Sequence, residues 1–268
     1  MIKILHTADT HNQMTKEKAD YLKSLEPNLI FDSGDIIKSG NVDFNPRGEK
    51  AWDIYNGVYD AICPGNREYH FSKWGFYCKI KGFEMPLLAC NYLFKSQITN
   101  HKSQITNSIP PSVSNETATP QAYGLGGQKE GDKSDVGGQK VPVVPYLYFD
   151  VDDVRIGVLG VSNINIDESM FCHRFASQYQ KDIFESVSET IKDIDCNILI
   201  ALTHIGLEKD RQLAEKFPQI DLILGGHSHD YLNEKIGGTV IVHSGAFAEH
   251  FSEIIIENKE IRVKQNDF

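Results

Sequence analysis

Short apolar runs alternate with stretches of helical periodicity along most of this chain. Residues 2–7 (IKILHT) and 28–33 (NLIFDS) are rich in Ile, Leu and Phe and predict buried strands. Between them, Ala19, Tyr21, Leu22 and Leu25 fall at helical spacing within 16–25. Residues 58–63 and 86–90 (PLLAC) predict two more strands, with a helix over 69–81 between them. This βαβα rhythm predicts a sheet with crossover helices, whose loops gather at the strand ends.

The pattern breaks at 96–140, where Ser, Thr, Asn, Gln, Gly and Pro dominate and apolar periodicity is lost. SQITN at 96–100 recurs at 103–107, and GGQK at 126–129 recurs at 137–140. Such a segment buries too little apolar surface to offset its ordering entropy, so a flexible insertion is expected. Beyond it, 146–151 and 154–161 predict a hairpin turning at Asp152-Asp153. Ile183, Phe184, Val187, Ile191 and Ile194 form one face of a helix. Residues 197–203 and 222–224 predict buried strands around a charged helix at 208–217, and 239–243, 251–257 and 261–264 close the chain as strands. One domain spanning 1–268, interrupted by the insertion, is expected.

Composition narrows the function classes. Hydrophobic residues at 40% and charged residues at 24% are the balance of a globular chain with a sizeable core. No run reaches the roughly 18 apolar residues of a membrane span, so no membrane partner is expected. The opening MIKILHTADTHN lacks the pattern of an export leader. A net charge of −10 argues against extended nucleic-acid binding. Five cysteines without C-x-x-C spacing predict reduced thiols and a cytoplasmic location.

Ten histidines, several beside Asp, Asn and Gly, change the picture. Five short clusters each follow a predicted strand: Asp9-Thr10-His11, Gly34-Asp35, Gly65-Asn66, His204, and Gly226-His227-Ser228-His229. Strand ends of an α/β sheet converge on one edge, so these clusters can meet. Carboxylate, imidazole and amide together suit Mn, Fe, Zn, Co or Ni, and no cysteine accompanies them. A one-residue spacer in D-x-H and H-x-H lets both side chains serve one metal cluster. His6 reads as a packed strand residue, His243 and His250 as edge residues, and His101 and His173 as loop residues.

In this order the clusters resemble the calcineurin-like metallophosphoesterases, whose pattern is D-x-H, G-D, G-N-H, H and G-H-x-H. ILHTADTHNQ, GNREY, MPLLACN and LTHIGLEKDRQLAEKFPQIDLILGGHSH are similar to the branch of 5′-nucleotidases and 2′,3′-cyclic phosphodiesterases. The resemblance implies a four-layer α/β/β/α fold with two stacked sheets. It implies two divalent metal ions, one held by Asp9, His11, Asp35 and His229, the other by Asp35, Asn66, His204 and His227, with Asp35 bridging. The implied activity is hydrolysis of a small phosphate mono- or diester by a metal-activated hydroxide.

Two departures bear on that activity. The family's G-N-H histidine is Arg67 here, and the Asp of the E-F-D that often follows is His70. Arg67 cannot donate a proton at neutral pH but can stabilise phosphoryl charge. His70 lies one helical turn on if a helix starts there, so it is expected to protonate the leaving group. Glu68 is expected to orient Asn66 or Arg67 from behind. The 39 residues after His229 are too few for the C-terminal domain that supplies base stacking in nucleotidases of this branch. Two classes stay open: a phosphoesterase, and a metal- or phosphate-binding module that turns over slowly, with the Arg67/His70 exchange between them.

Overall fold

A computed structural model describes residues 1–94, 113–114, 143–164 and 178–268. Two seven-stranded sheets dominate it. The first runs, in spatial order, β16 (Glu260–Asp267), β15 (His250–Glu257), β1 (Ile2–Thr7), β2 (Leu29–Asp32), β3 (Ala61–Ile62), β4 (Leu87–Leu88) and β7 (Val143–Val144). The second runs β13 (Tyr231–Ile236), β14 (Thr239–Ser244), β12 (Leu222–Gly225), β11 (Ile198–His204), β9 (Val154–Ser162), β8 (Tyr146–Val151) and β6 (Val113–Ser114). A small pair, β5 (Tyr92–Phe94) with β10 (Gln178–Gln180), stands apart. The expected insertion at 96–140 lies outside the described residues, except for β6. Cys172, His101 and His173 lie outside them too.

The helices are α1 (Lys16–Ser24), α2 (Trp52–Tyr55), α3 (Lys73–Lys79), α4 (Ile183–Thr190) and α5 (Leu207–Lys216). Three apolar clusters set the layers. Ile4, Phe31, Ala61 and Ile254 of the first sheet meet Val158, Ile200, Leu202 and Leu224 of the second. The outer face of the first sheet packs Leu5, Ile30 and Ile62 against Leu22, Trp52, Tyr55 and Phe76 of α1–α3. The outer face of the second packs Leu159, Ala201 and Ile223 against Val187, Leu213 and Phe217 of α4 and α5. The order is α/β/β/α, the layering the sequence resemblance implies.

The central strands are buried on both faces, as parallel strands between helices and a second sheet must be. β1 to β4 run parallel, as do β9, β11, β12 and β14. Their carboxyl ends deliver all five candidate clusters to the connecting loops. The helix expected over 69–81 begins only at Lys73: Ser72 accepts the Gly75 N–H at 3.1 Å as its N-cap.

Under those loops, His6 joins the two sheets. It is fully buried, with Nδ1 2.6 Å from Ser244 Oγ and Nε2 2.8 Å from Ser33 Oγ. Ser33 donates its own hydroxyl to Leu224 O at 2.7 Å, and Ser244 donates its to Ser252 Oγ at 2.8 Å. Burial, aided by nearby His243, pushes this imidazole down to about 3. The unfolded chain therefore takes up the proton first, and stability held above pH 6.5 drains away as pH falls towards 3. The parent is expected to lose about 2 kcal/mol relative to His6→Gln between pH 6.5 and 5. Paired denaturant titrations at the two pH values check this.

Candidate metal centre

Tight loops at the strand ends aim the candidate ligands inward. Asp9, His11, Asp35, His227 and His229 all have positive φ, from 48° to 82°. Non-glycine residues rarely adopt this region, and each instance costs about 1–3 kcal/mol. Backbone bonds hold the loops in place: Asp9 N donates to Gly34 O at 2.9 Å, and His11 N to Asp35 O at 3.0 Å. Gly34 is itself left-handed at 88°, and a Cβ there would strike Cys63 O and Gly65 N. A Cβ on Gly65 would strike Asp35 Oδ1, so only glycine lets the third loop approach this carboxylate.

The structure brings six candidates into two groups, Asp9–His11–His229 and Asp35–His204–His227. Within each, the potential ligand atoms lie within 4.8 Å of one another. His11 Nε2 and His229 Nε2 are 3.2 Å apart, and His227 Nδ1 and His204 Nε2 are 3.3 Å apart. Asn66 enters between Gly65 and Arg67, whose N–H donates to Asp35 Oδ1 at 2.8 Å. Asp9 Oδ1 and Asn66 Oδ1 are buried oxygens without a hydrogen-bond partner. Orphaned buried acceptors are what a divalent cation would satisfy, and this nitrogen–oxygen donor set fits the borderline metals.

The electrostatics agree. Burial opposes charge on His204, yet the Asp35 carboxylate and then Asp9 raise it to about 10. Burial would lift Asp35, but the His204 charge and hydrogen bonds from His204 and the Arg67 N–H hold it at about 2. The site thus demands positive charge beside Asp35. Burial keeps His11 and His227 down at about 4, neutral and able to ligate near pH 7. His204 donates Nδ1–H to Ser33 O at 2.6 Å, so Nε2, 3.4 Å from Asp35 Oδ1, is the nitrogen that would ligate a metal once its proton is displaced.

Glu68 is buried and does more than orient one neighbour. Its carboxylate accepts N–H bonds from Asp35 (2.9 Å), Ile36 (2.9 Å), Ile37 (3.2 Å) and Gly65 (2.7 Å). The second and third ligand loops are therefore fastened to one side chain. Arg67 lies at the rim, its Nε 3.3 Å from Asp35 Oδ2 and its Nη1 donating to Lys38 O at 2.8 Å.

His70, expected from the sequence to serve the leaving group, is packed into the 38–42 loop and the α3 cap. Residues 66–68 form a turn rather than a helix start, so the one-turn offset does not arise. The ring is buried, stacked on Phe71 and edge-on to Phe44. Nδ1 accepts the Ser72 N–H at 3.0 Å, and Nε2 lies 3.2 Å from Val42 O. Both nitrogens serve the 38–42 loop and the α3 cap.

Three contributors escaped the sequence reading. Lys79, fully buried, donates Nζ to Gly40 O at 2.7 Å and to Arg67 O. Nothing but its place on a helix that packs on the core could have signalled this. Ser33 offers the carbonyl that fixes His204. Phe247 lies against His11 and His229, with ring centroids 5.2 and 5.3 Å apart.

Comparison with known proteins fits this geometry. The trifunctional nucleotide phosphoesterase YfkN of Bacillus subtilis (strain 168) is 26% identical over 284 aligned residues, covering 98% of this chain and 18% of that protein. The 5′-nucleotidase of Homo sapiens is 24% identical, covering 85% of this chain and 38% of its own length. The chain thus spans well under half of either relative. In fold, the NAD nucleotidase of Haemophilus influenzae superposes with a TM-score of 0.65 at 18% identity, over 99% of this chain and 55% of that one. The sequence pattern of the calcineurin-like phosphoesterases matches residues 2–231, a span that takes in every candidate ligand from Asp9 to His229, and the chain belongs to that family.

Proposed function

We propose that this chain hydrolyses esters of small phosphates at a centre of two divalent metal ions. Asp9, His11, Asp35 and His229 hold one ion; Asp35, Asn66, His204 and His227 hold the other. The observation that carries the reading is the meeting of Asp9, His11 and His229 in one group and of Asp35, His204 and His227 in another, with Asp9 Oδ1 and Asn66 Oδ1 buried without a hydrogen-bond partner. Ions of the Mn, Fe, Zn, Co or Ni type supply Lewis acidity to the phosphoryl oxygens and make the attacking water acidic at neutral pH. The nucleotide phosphoesterase and 5′-nucleotidase relatives support a small phosphorylated substrate, nucleotide-like in class. The four described cysteines, Cys63, Cys78, Cys90 and Cys196, are unpaired, which supports a reducing, cytoplasmic setting. No helix among the described residues is long and apolar enough to cross a membrane.

Arg67 is the chain's own electrostatic contribution to the reaction. Its guanidinium, about one-third exposed, keeps a planar donor fork at the rim while it pairs with Asp35. Arg67→Ala is expected to slow aryl and alkyl esters alike, by roughly 10²-fold, because phosphoryl charge develops in both. Steady-state kinetics on the two ester types check this. With His70 spent on the 38–42 loop, esters whose leaving group departs without a proton are the better substrates. The decisive experiment is turnover of an aryl phosphate with added Mn²⁺ and its loss in chelator. Bound Mn²⁺ without turnover would favour the second reading, a slow metal- or phosphate-binding module, which the Arg67–Asp35 ion pair supports.

A further inference from the structure

Phe247 is the feature beside the metal centre that ligand geometry does not explain. The turn at 245–248 holds three left-handed residues, Gly245 at 75°, Phe247 at 59° and Ala248 at 52°. A bulky residue in this region is an outlier that persists only when its surroundings force it. Here they do: Phe247 N donates to Asp9 O at 2.8 Å, Glu249 N to Ala246 O at 3.1 Å, and Lys18 Nζ to Ala248 O at 2.6 Å. Ala246 and Ala248 are buried, so the turn throws the aromatic ring outward, where it stays 46% exposed.

The ring stands where the centre opens. Asp9 and His204 are fully buried, Asp35 and His11 nearly so, while the side chain of His229 is 39% exposed. Phe247 meets the His229 ring edge-on at 84° and the His11 ring at 45°. Clamping two imidazoles needs contact, but it does not need half of a phenyl face left in water beside the opening. Strained backbone and exposed apolar surface therefore coincide at the approach to the ligands.

We propose that Phe247 is the wall against which the leaving group packs, and that it selects phosphate esters whose leaving group carries a planar aromatic ring. This rests on the hydrolase reading above. A phenyl face offers a flat ring offset-stacked or edge contacts beyond simple area burial, and offers a polyol almost nothing. It is indifferent to the pattern of ring nitrogens, so aryl groups and nucleobases share the same chemistry.

The test compares the full chain with Phe247→Ala and Phe247→Tyr at equal metal content, using phenyl phosphate, adenosine monophosphate and glycerol phosphate. Phe247→Ala is expected to raise KM for the aromatic esters about 10-fold with kcat kept, as for loss of one base–aromatic contact. Glycerol phosphate should change far less than either aromatic ester, and Phe247→Tyr should restore the parent values. A rise for phenyl phosphate alone assigns the wall to groups attached directly at the phosphate, and a rise for both aromatic esters extends it to nucleobases. Equal changes on all three esters, or loss of metal, would overturn the proposal and leave Phe247 as a brace for the imidazoles. Binding of benzylphosphonate and methylphosphonate, neither of them hydrolysable, separates this proposal from the hydrolase reading. A benzyl preference that vanishes in Phe247→Ala without any turnover by the parent keeps the wall and removes the hydrolase. Turnover without that preference does the reverse.

Discussion

Asp35→Ala is expected to empty both metal positions, lowering content from about two ions per chain to near zero, with at least roughly 10³-fold loss of phosphoesterase activity. The carboxylate is grouped with His204 and His227, and its charge also acts on His11 of the other group. Oδ1 lies 3.4 Å from His204 Nε2 and accepts the Arg67 N–H, while Oδ2 meets Arg67 Nε at 3.3 Å. Without it, two positive groups are left facing a pair of cation positions with no shared anion between them. His11→Ala removes a ligand from one group only and is expected to halve metal content. Elemental analysis of the purified variants decides between shared and separate roles. Retention of both ions by Asp35→Ala would end the bridging assignment.

The largest effect on stability is expected at Glu68, which touches no substrate. Glu68→Ala strands the four N–H groups of Asp35, Ile36, Ile37 and Gly65 in a buried setting. An unsatisfied buried donor costs about 1–3 kcal/mol, so the sum is at least about 4 kcal/mol. For a chain of this size that is a fall in Tm on the order of 10 °C. Glu68→Gln keeps one acceptor oxygen but turns an NH₂ towards two of the donors, so its Tm should fall between parent and alanine. Metal affinity should drop as well, by roughly 10–100-fold, because the freed loops carry Asp35 and Asn66. Thermal melts with and without Mn²⁺, and metal titration, test both parts. Parent-like melting and affinity in Glu68→Ala would show that water or another group satisfies these donors.

The ligand clusters were legible because each depends on local signals: an apolar run, then a Gly or Asp where the strand stops. β1 was legible to the residue, and β2, β11 and β12 to within one residue at either end, since buried parallel strands are continuous apolar runs. β13 was not. Its sequence, YLNEKI, runs three polar residues together, Asn233 to Lys235, because it is a half-exposed edge strand and hydrophobicity does not mark it. Sheet order was equally hidden: β1 pairs with β15 from the far end of the chain, a partnership no local pattern encodes. The same limit governed the third block. Arg67 and His70 stand out as departures, but their partners, Lys38 O and Val42 O, come from a loop about 28 residues earlier. Charge and spacing suggested chemistry for His70 but gave no sign of its bonds to the 38–42 loop and the α3 cap.

Five ligand positions in left-handed backbone have a consequence for how such a chain drifts under mutation. Gly suits these positions better than His or Asp does, so a change to Gly that discards a ligand also releases local strain. Asp9 and Asp35 repay that strain by accepting the His227 and Arg67 N–H groups, so the relief falls to the histidine positions, where selection for the site works against the local backbone.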